Sequence, residues 1–502
     1  MNENSIKGKE WLAVLAILLL SIFLNIYNNH FPLGYNRDEL LKADFIQKSH
    51  QDFHHPMMLL SSIRTANLFF KFSDPQSLIV LGRTVVGVVG GLIALLSFLL
   101  ARRFMKPSDA LSVALSVAIS PIFVAHAHYV KEDLHLTLGC LLSLMMLFRL
   151  IEKPGWKNML WLGLSSGLAF SSHYKSFLLV SIYFMAALWV PKGSKINYGR
   201  RLAGSLVIAL LTFICINYPV LKNPQDILEG MRFEAAHAME GHSDMIHIPA
   251  LPYFFTFHLT HSLLPGMTLL PLLLSLIGVL FCLKHWRNTL WQEKIMILYV
   301  FIFYFTVEIS PLKPMPDFMR YVIPIVPILL YFSIKMLSQI SFKNPMLSKG
   351  KFILLILSIA IPFSASTQLA YYMNKDTRET AKRWIEANGG KALYETYASE
   401  NRDTRCVARL DIPAEQKNGT RFLVSSSFQY DRYYLGSRLK NLEKKVYLIH
   451  QSYTDLFKWP YIEIKPQFKP FAYSNPVIRI VDISPATESS GEKAKINKKP
   501  PD

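Results

Sequence analysis

The chain has 502 residues, 51% hydrophobic and 13% aromatic, with a formal net charge of +19 and a mean hydropathy of +0.25. Runs as apolar as Leu12 to Leu24 exclude a wholly soluble protein. The excess of Lys and Arg fits membrane topology and anionic headgroups, so nucleic acid is excluded as the expected partner.

In chain order, apolar segments predict spans at 11–28, 78–101, 110–125, 133–150, 159–172, 174–190, 202–219, 263–283, 295–310, 319–337 and 352–372. The expected fold class is an α-helical polytopic membrane protein with 11 transmembrane helices and a small C-terminal α/β domain. Residues 1–373 form the membrane domain, 374–483 the α/β domain and 484–502 a disordered tail rich in Ser, Glu, Lys and Pro. The spans at 159–172 and 174–190 are short for a hydrocarbon core of about 30 Å, which predicts tilt or irregularity.

Two long loops interrupt the spans, 29–77 and 220–262. The first holds a helical pattern from Asp38 to His50, the second an amphipathic helix from Asp226 to Glu240 followed by Gly241-His242-Ser243-Asp244. Beyond Tyr372, Asp376 caps a helix running to Ala387, and strands are expected at 393–397, 421–426, 445–450 and 477–482. Cys140, Cys215 and Cys282 fall in or beside spans and Cys406 stands alone, which predicts no disulfide within the α/β domain.

Lys and Arg concentrate in one set of short turns, such as Arg102-Arg103 with Lys106 and Lys192 with Lys195, Arg200 and Arg201. The opposite turns carry only Lys131, Lys175 and Lys313. The positive-inside rule therefore predicts a cytoplasmic N-terminus, with both long loops and the C-terminal domain outside the cytoplasmic membrane.

Charged residues recur on that outer side. Asn36-Arg37-Asp38-Glu39 follows the first span, and successive helical residues point about 100° apart, so the two acids should take different roles. A carboxylate at a hydrophobic cleft is suited to general-base work, whereas one at a helix start also complements the dipole. Glu132-Asp133, after His126, His128 and Lys131, has the same two readings. His54-His55-Pro56 offers imidazoles to a metal or phosphate, or simply packs its loop. Lys175, Lys313, Arg320 and Tyr321 lie at span edges, where cations snorkel or hold a lipid phosphate. There is no Gly-rich phosphate loop, HExxH or GxSxG sequence.

In these motifs the chain resembles the GT-C glycosyltransferases, in the branch of protein O-mannosyltransferases and lipid A aminoarabinose transferases. The resemblance rests on Arg37-Asp38-Glu39, His54-His55-Pro56, Tyr129-Val130-Lys131-Glu132-Asp133, and Arg320-Tyr321 with Pro324 and Pro327. It extends through Asp376-Thr377-Arg378, Trp384-Ile385, Asn388, Ser425-Ser426 and Tyr430-Asp431-Arg432-Tyr433, to about residue 483. It implies a polyprenyl-phosphate sugar as donor and a lipid, glycan or protein as acceptor, with inversion by direct displacement. Asp38 would be the catalytic base. Glu39, His55, Lys131, Glu132, Asp133, Lys175, Lys313, Arg320 and Tyr321 would line the substrate site. Some relatives bind a divalent cation, for which Glu39, His54 and His242 are the first ligands to test. The first loop reads His55-Pro56-Met57 where the family often has HPP, which bears on the acceptor class. The competing readings are a secondary transporter or lipid flippase, which would place charge near the bilayer midplane, and a non-catalytic scaffold.

Overall fold

The computed structural model describes residues 8–49, 53–240, 255–309, 319–339, 345–395, 397–399, 407, 410–430, 452–467 and 475–485. The membrane part runs through α1 (Gly8–Ile26), α2 (Arg37–Gln47), α3 (Met58–Phe70), α4 (Pro75–Arg102), α5 (Pro107–Ala118), α6 (Pro121–Ala127), α7 (Asp133–Glu152), α8 (Trp156–Phe170), α9 (Leu178–Ala186) and α10 (Lys195–Ile216). It continues with α11 (Pro224–Glu240), α12 (Leu264–Met267), α13 (Leu269–Lys284), α14 (Trp291–Ile309), α15 (Val326–Gln339) and α16 (Pro345–Tyr372). The chain is an α-helical polytopic membrane protein, and each of the eleven expected segments falls on helix. Among the described residues six helices are long and apolar enough to cross a bilayer alone, or eight if each of two bent helix pairs counts as one span.

The bends follow from sequence. Pro121 opens α6, and α5 meets it at 47°, because proline has no N–H to continue the preceding ladder. The second pair bends by 112° at Thr268, whose φ is +68°. The two breaks are held together: Ser120 Oγ donates to Gly266 O at 2.9 Å, both buried. In α8, Gly163 and Gly167 let α10 approach so closely that a Cβ on either would lie within 2.6 Å of Ile208 or Thr212 side-chain atoms.

In the loop 29–77 the helix expected over Asp38–His50 is α2, while α3 follows it unanticipated and exposes Leu68, Phe69 and Phe70 at its end. The span at 319–337 opens as a 3-10 stretch, Met319–Ile325, containing Pro324.

The C-terminal part comprises α17 (Thr377–Asn388), β1 (Lys391–Tyr394), α18 (Ile412–Lys417), β2 (Thr420–Ser426), β3 (Tyr461–Ile464) and β4 (Ile478–Asp482). The sheet order is β1-β2-β4-β3, with β1 parallel to β2 and the other pairs antiparallel. Alternation divides the core: Phe422 and Val424 pack with Trp384 and Ile385 of α17, while Leu423 packs with Tyr453 and Val481 on the other face. The strand expected at 445–450 and the tail beyond 485 lie outside the described residues. Edge strand β3 went unanticipated because four residues against Pro460 give little alternation to read. Asp376 caps α17 as expected, its side chain accepting the Arg378 N–H at 2.8 Å.

Arg378 joins the two parts. Its Nη1 donates to Tyr35 O at 2.9 Å, its guanidinium lies 4.0 Å from the Tyr35 ring centroid, and Tyr35 OH donates to Glu379. The sheet domain is therefore tied to the turn that launches α2.

Inside that domain, buried Glu395 accepts from Ser425 Oγ at 2.5 Å and from Tyr453 OH. Burial pushes its carboxyl up to about 7, against the hydrogen bonds from Ser425, Tyr453 and the Ser426 N–H. With the folded value above the unfolded one, stability is full below about pH 4.5 and is lost as pH rises to about 7. We expect Glu395→Gln to remove about 3 kcal/mol of that pH dependence, seen as a flatter unfolding profile between pH 4.5 and 8.

Candidate active site

Asn36 sets the geometry at the start of α2. Its side chain accepts the Asp38 N–H at 3.3 Å and its carbonyl the Glu39 N–H at 3.0 Å, placing both acids in the first turn. Their side chains then diverge. Glu39 is fully buried, with Arg83 Nε donating to Oε1 at 3.1 Å and Nη2 to Oε2 at 2.5 Å, while the Val130 N–H donates to Oε1 at 3.0 Å. Arg83 also donates to the carbonyls of Asn29 and Phe31 and lies 3.6 Å over the Phe31 ring. This fork ties α2 and α4 to the turn before α7.

Asp38 keeps 54% of its side chain exposed and pairs with the ammonium of Lys131, which is buried. Lys42, one turn along α2, donates to Val130 O at 2.8 Å and to Glu132 Oε1 at 2.5 Å. Burial raises the Glu132 carboxyl, but Lys42, with His55 and Lys131, outweighs it and holds the group well below the usual carboxylate range. Burial, reinforced by the Arg320 charge, pushes the Lys131 ammonium down to about 7 against the pull of Glu132 and Asp133. Asp133 is buried at the first turn of α7, within electrostatic reach of Lys131 and Lys175.

A second group of cations closes the other side. Lys175 Nζ sits 3.6 Å from the Tyr321 ring centroid and Arg320 Cζ 5.3 Å from it. The structure thus brings Asp38, Lys131, Glu132, Asp133, His55, Lys175, Arg320 and Tyr321 into one neighbourhood, although they come from five separate stretches of sequence. Lys313 and His242 lie outside the described residues. Arg83 and Lys42 were missed by sequence reasoning. Arg83 had a signal, being the one charged residue between Leu78 and Ala101 of a long apolar run.

Of the cation ligands first considered, Glu39 is committed to Arg83 and Val130, and His54 packs on Phe233 with ring centroids 4.4 Å apart. Among the described residues, the side chains that converge are His55, His173 and Glu234, one ligand-type atom of each lying within 4.8 Å of the others. Their convergence depends on α11 lying against the first loop at Gly230, where a Cβ would stand 1.9 Å from Phe53 O. Gly230→Ala must push α11 away, and we expect a loss of about 1–3 kcal/mol with reduced activity. A thermal melt in detergent, beside a turnover assay, checks this.

Residues 54–218 match the family model for dolichyl-phosphate-mannose-protein mannosyltransferase, a segment holding His55, Lys131-Glu132-Asp133 and Lys175. Among solved structures, the archaeal oligosaccharyltransferase AglB from Archaeoglobus fulgidus, in complex with an inhibitory peptide and a dolichol-phosphate, is similar with a TM-score of 0.57 at 10% identity, over 97% of this chain and 75% of that one. ArnT from Cupriavidus metallidurans bound to undecaprenyl phosphate gives a TM-score of 0.52 at 13% identity, over 96% of this chain and 100% of that one. No curated protein sequence matches the chain. The fold is that of the GT-C glycosyltransferases. Within that class the chain resembles the protein mannosyltransferases in sequence over residues 54–218 and ArnT in overall fold.

Proposed function

We propose that the protein transfers a sugar from a polyprenyl-phosphate-linked donor to a lipid, glycan or protein acceptor outside the cytoplasmic membrane, with inversion at the anomeric carbon. The observation that carries this reading is the pairing of a half-exposed Asp38 with a set of largely buried cations, inside a GT-C fold. An acceptor hydroxyl attacks the anomeric carbon, the bond from that carbon to phosphate oxygen breaks, and polyprenyl phosphate leaves with its electron pair. Asp38 takes the acceptor proton. Lys131 pairs with Asp38 and orients its carboxylate, and stands next to the region where phosphate charge develops. Glu39, enclosed by Arg83, is a positioning residue that fixes the turn carrying Asp38, and it does not touch substrate.

Lys175 and Arg320, bracketing Tyr321, supply the charge that holds the lipid phosphate. Phosphate needs no nucleotide assistance to leave, in accord with a sequence lacking a phosphate-binding glycine loop. The two similar structures, one in complex with dolichol-phosphate and one bound to undecaprenyl phosphate, support a donor of this chemistry. A transporter reading is less favoured, because these charges gather at the loop end of the helices.

Arg320→Ala tests the donor site. Loss of a charge-assisted contact to phosphate is expected to raise the donor KM about tenfold or more while kcat stays near wild type. An unchanged KM, with the protein folded, removes Arg320 from donor binding.

A further inference from the structure

We propose that the end of the helix bundle away from the candidate active site holds an anionic glycerophospholipid, with its phosphate between Lys157 of α8 and Arg200 of α10. Its acyl chains lie on the apolar faces that continue from those two residues. Both helices run from that end towards the active site. α8 leads to Ser171, and α10 leads to Asn217, whose side chain donates to Ser171 Oγ at 3.1 Å and accepts the Met57 N–H at 2.7 Å. The two helices are therefore parallel, and their seam fixes the register. A Cβ on Gly163 would meet Ile208, one on Gly167 would meet Thr212, and one on Gly204 would meet Met159. Each contact joins residues 45 apart in sequence, which sets Lys157 and Arg200 within about 3 Å of the same height.

The seam also decides which way the two cations face. At 100° per residue, Lys157, Trp161 and Leu168 line the open flank of α8, and Arg200, Val207 and Leu211 that of α10. In a parallel pair with this seam the two flanks lie on the same side. Five of these side chains are exposed and Leu168 is half-buried. A cation thus heads each of two adjacent apolar stripes, with Trp161 one turn deeper, where indole rings sit in a bilayer. The surrounding sequence supplies no counter-charge. Between Lys153 and Gln225 there is no Asp or Glu, although Lys153, Lys157, Lys192, Lys195, Arg200 and Arg201 fall around the starts of these helices. Glu152, the last acid before this stretch, already accepts from Arg103 and Gln292. Uncompensated Lys and Arg above an apolar surface match a phosphodiester above its acyl chains. The positive-inside rule puts this end in the cytoplasmic leaflet.

The test uses the full chain, stripped of lipid in a neutral detergent and titrated with dioleoyl phosphatidylglycerol or dioleoyl phosphatidylcholine under native mass spectrometry. The two probes share their chains and differ in net charge. One phosphatidylglycerol should bind at least about tenfold more tightly than phosphatidylcholine. Lys157→Gln with Arg200→Gln should weaken phosphatidylglycerol binding at least about tenfold, leave phosphatidylcholine binding unchanged and melt like wild type in lipid-free detergent. Lys284→Gln with Arg287→Gln removes the same charge from the α13–α14 turn at the same end of the bundle, and should bind like wild type. The proposal is overturned if the two lipids bind alike, if the Lys157/Arg200 variant keeps its phosphatidylglycerol, or if the Lys284/Arg287 variant loses as much. In that last case the face attracts anionic lipid through its charge alone and has no built site. None of these readouts uses sugar transfer, so the lipid site and the proposed reaction stand or fall separately.

Discussion

Asp38→Asn is expected to lower kcat by about 10³-fold or more, with donor affinity retained within a few-fold. Asparagine keeps the shape of the side chain but accepts no proton at neutral pH, so the acceptor hydroxyl must attack without a base. Asp38 is half-exposed but its partner Lys131 is buried, so the substitution costs the ion pair while the amide oxygen of asparagine can still accept the Lys131 hydrogen bond. Stability should therefore fall by about 1–2 kcal/mol. Single-turnover transfer and donor binding, measured on the same preparation, separate chemistry from affinity. Ordinary turnover by the variant would remove Asp38 from the base role.

Arg83→Met should have the largest effect on stability. It strands the fully buried Glu39 carboxylate, and removing one partner of a buried ion pair costs about 3–5 kcal/mol. It also frees the carbonyls of Asn29 and Phe31 from their donor, loosening the segment that leads into α2. Thermal unfolding in detergent should fall sharply, and activity should fall with it because Asp38 is carried on that turn. Pairing the change with Glu39→Gln removes the stranded charge, so the double variant should recover part of the loss. If Arg83→Met alone melts like wild type, the fork does not hold the loop.

The part of the site legible in the sequence was the part written in adjacent residues. Asp38 and Glu39 were separable in role because helical geometry turns neighbours apart, and the structure does expose one and bury the other. The exposed face of the acid pair could be read; its lock could not, because Arg83 lies 44 residues along the chain from Glu39. Lys42 was hidden for the same reason, as its partners Val130 and Glu132 belong to a later turn. The same logic hid a contact across the outer loops: sequence offered Glu39, His54 and His242 as the first cation ligands to test, whereas packing of α11 at Gly230 brings Glu234 to His55. The break at Pro121 was written in a single residue type, yet 110–125 read as one span because hydropathy does not register a bend. The α/β domain was visible through its capped helix and alternating strands, while β3 was too short to show.

The central claim is that this fold and this site move a sugar from a lipid phosphate. The most direct measurement supplies purified wild-type protein in lipid with a panel of radiolabelled polyprenyl-phosphate sugars and cell-envelope acceptors, and follows label into acceptor and free polyprenyl phosphate. The account predicts label transfer from at least one donor, in step with release of polyprenyl phosphate and absent with Asp38→Asn. Folded protein that transfers from no donor, with acceptors present and donor intact at the end, would contradict it.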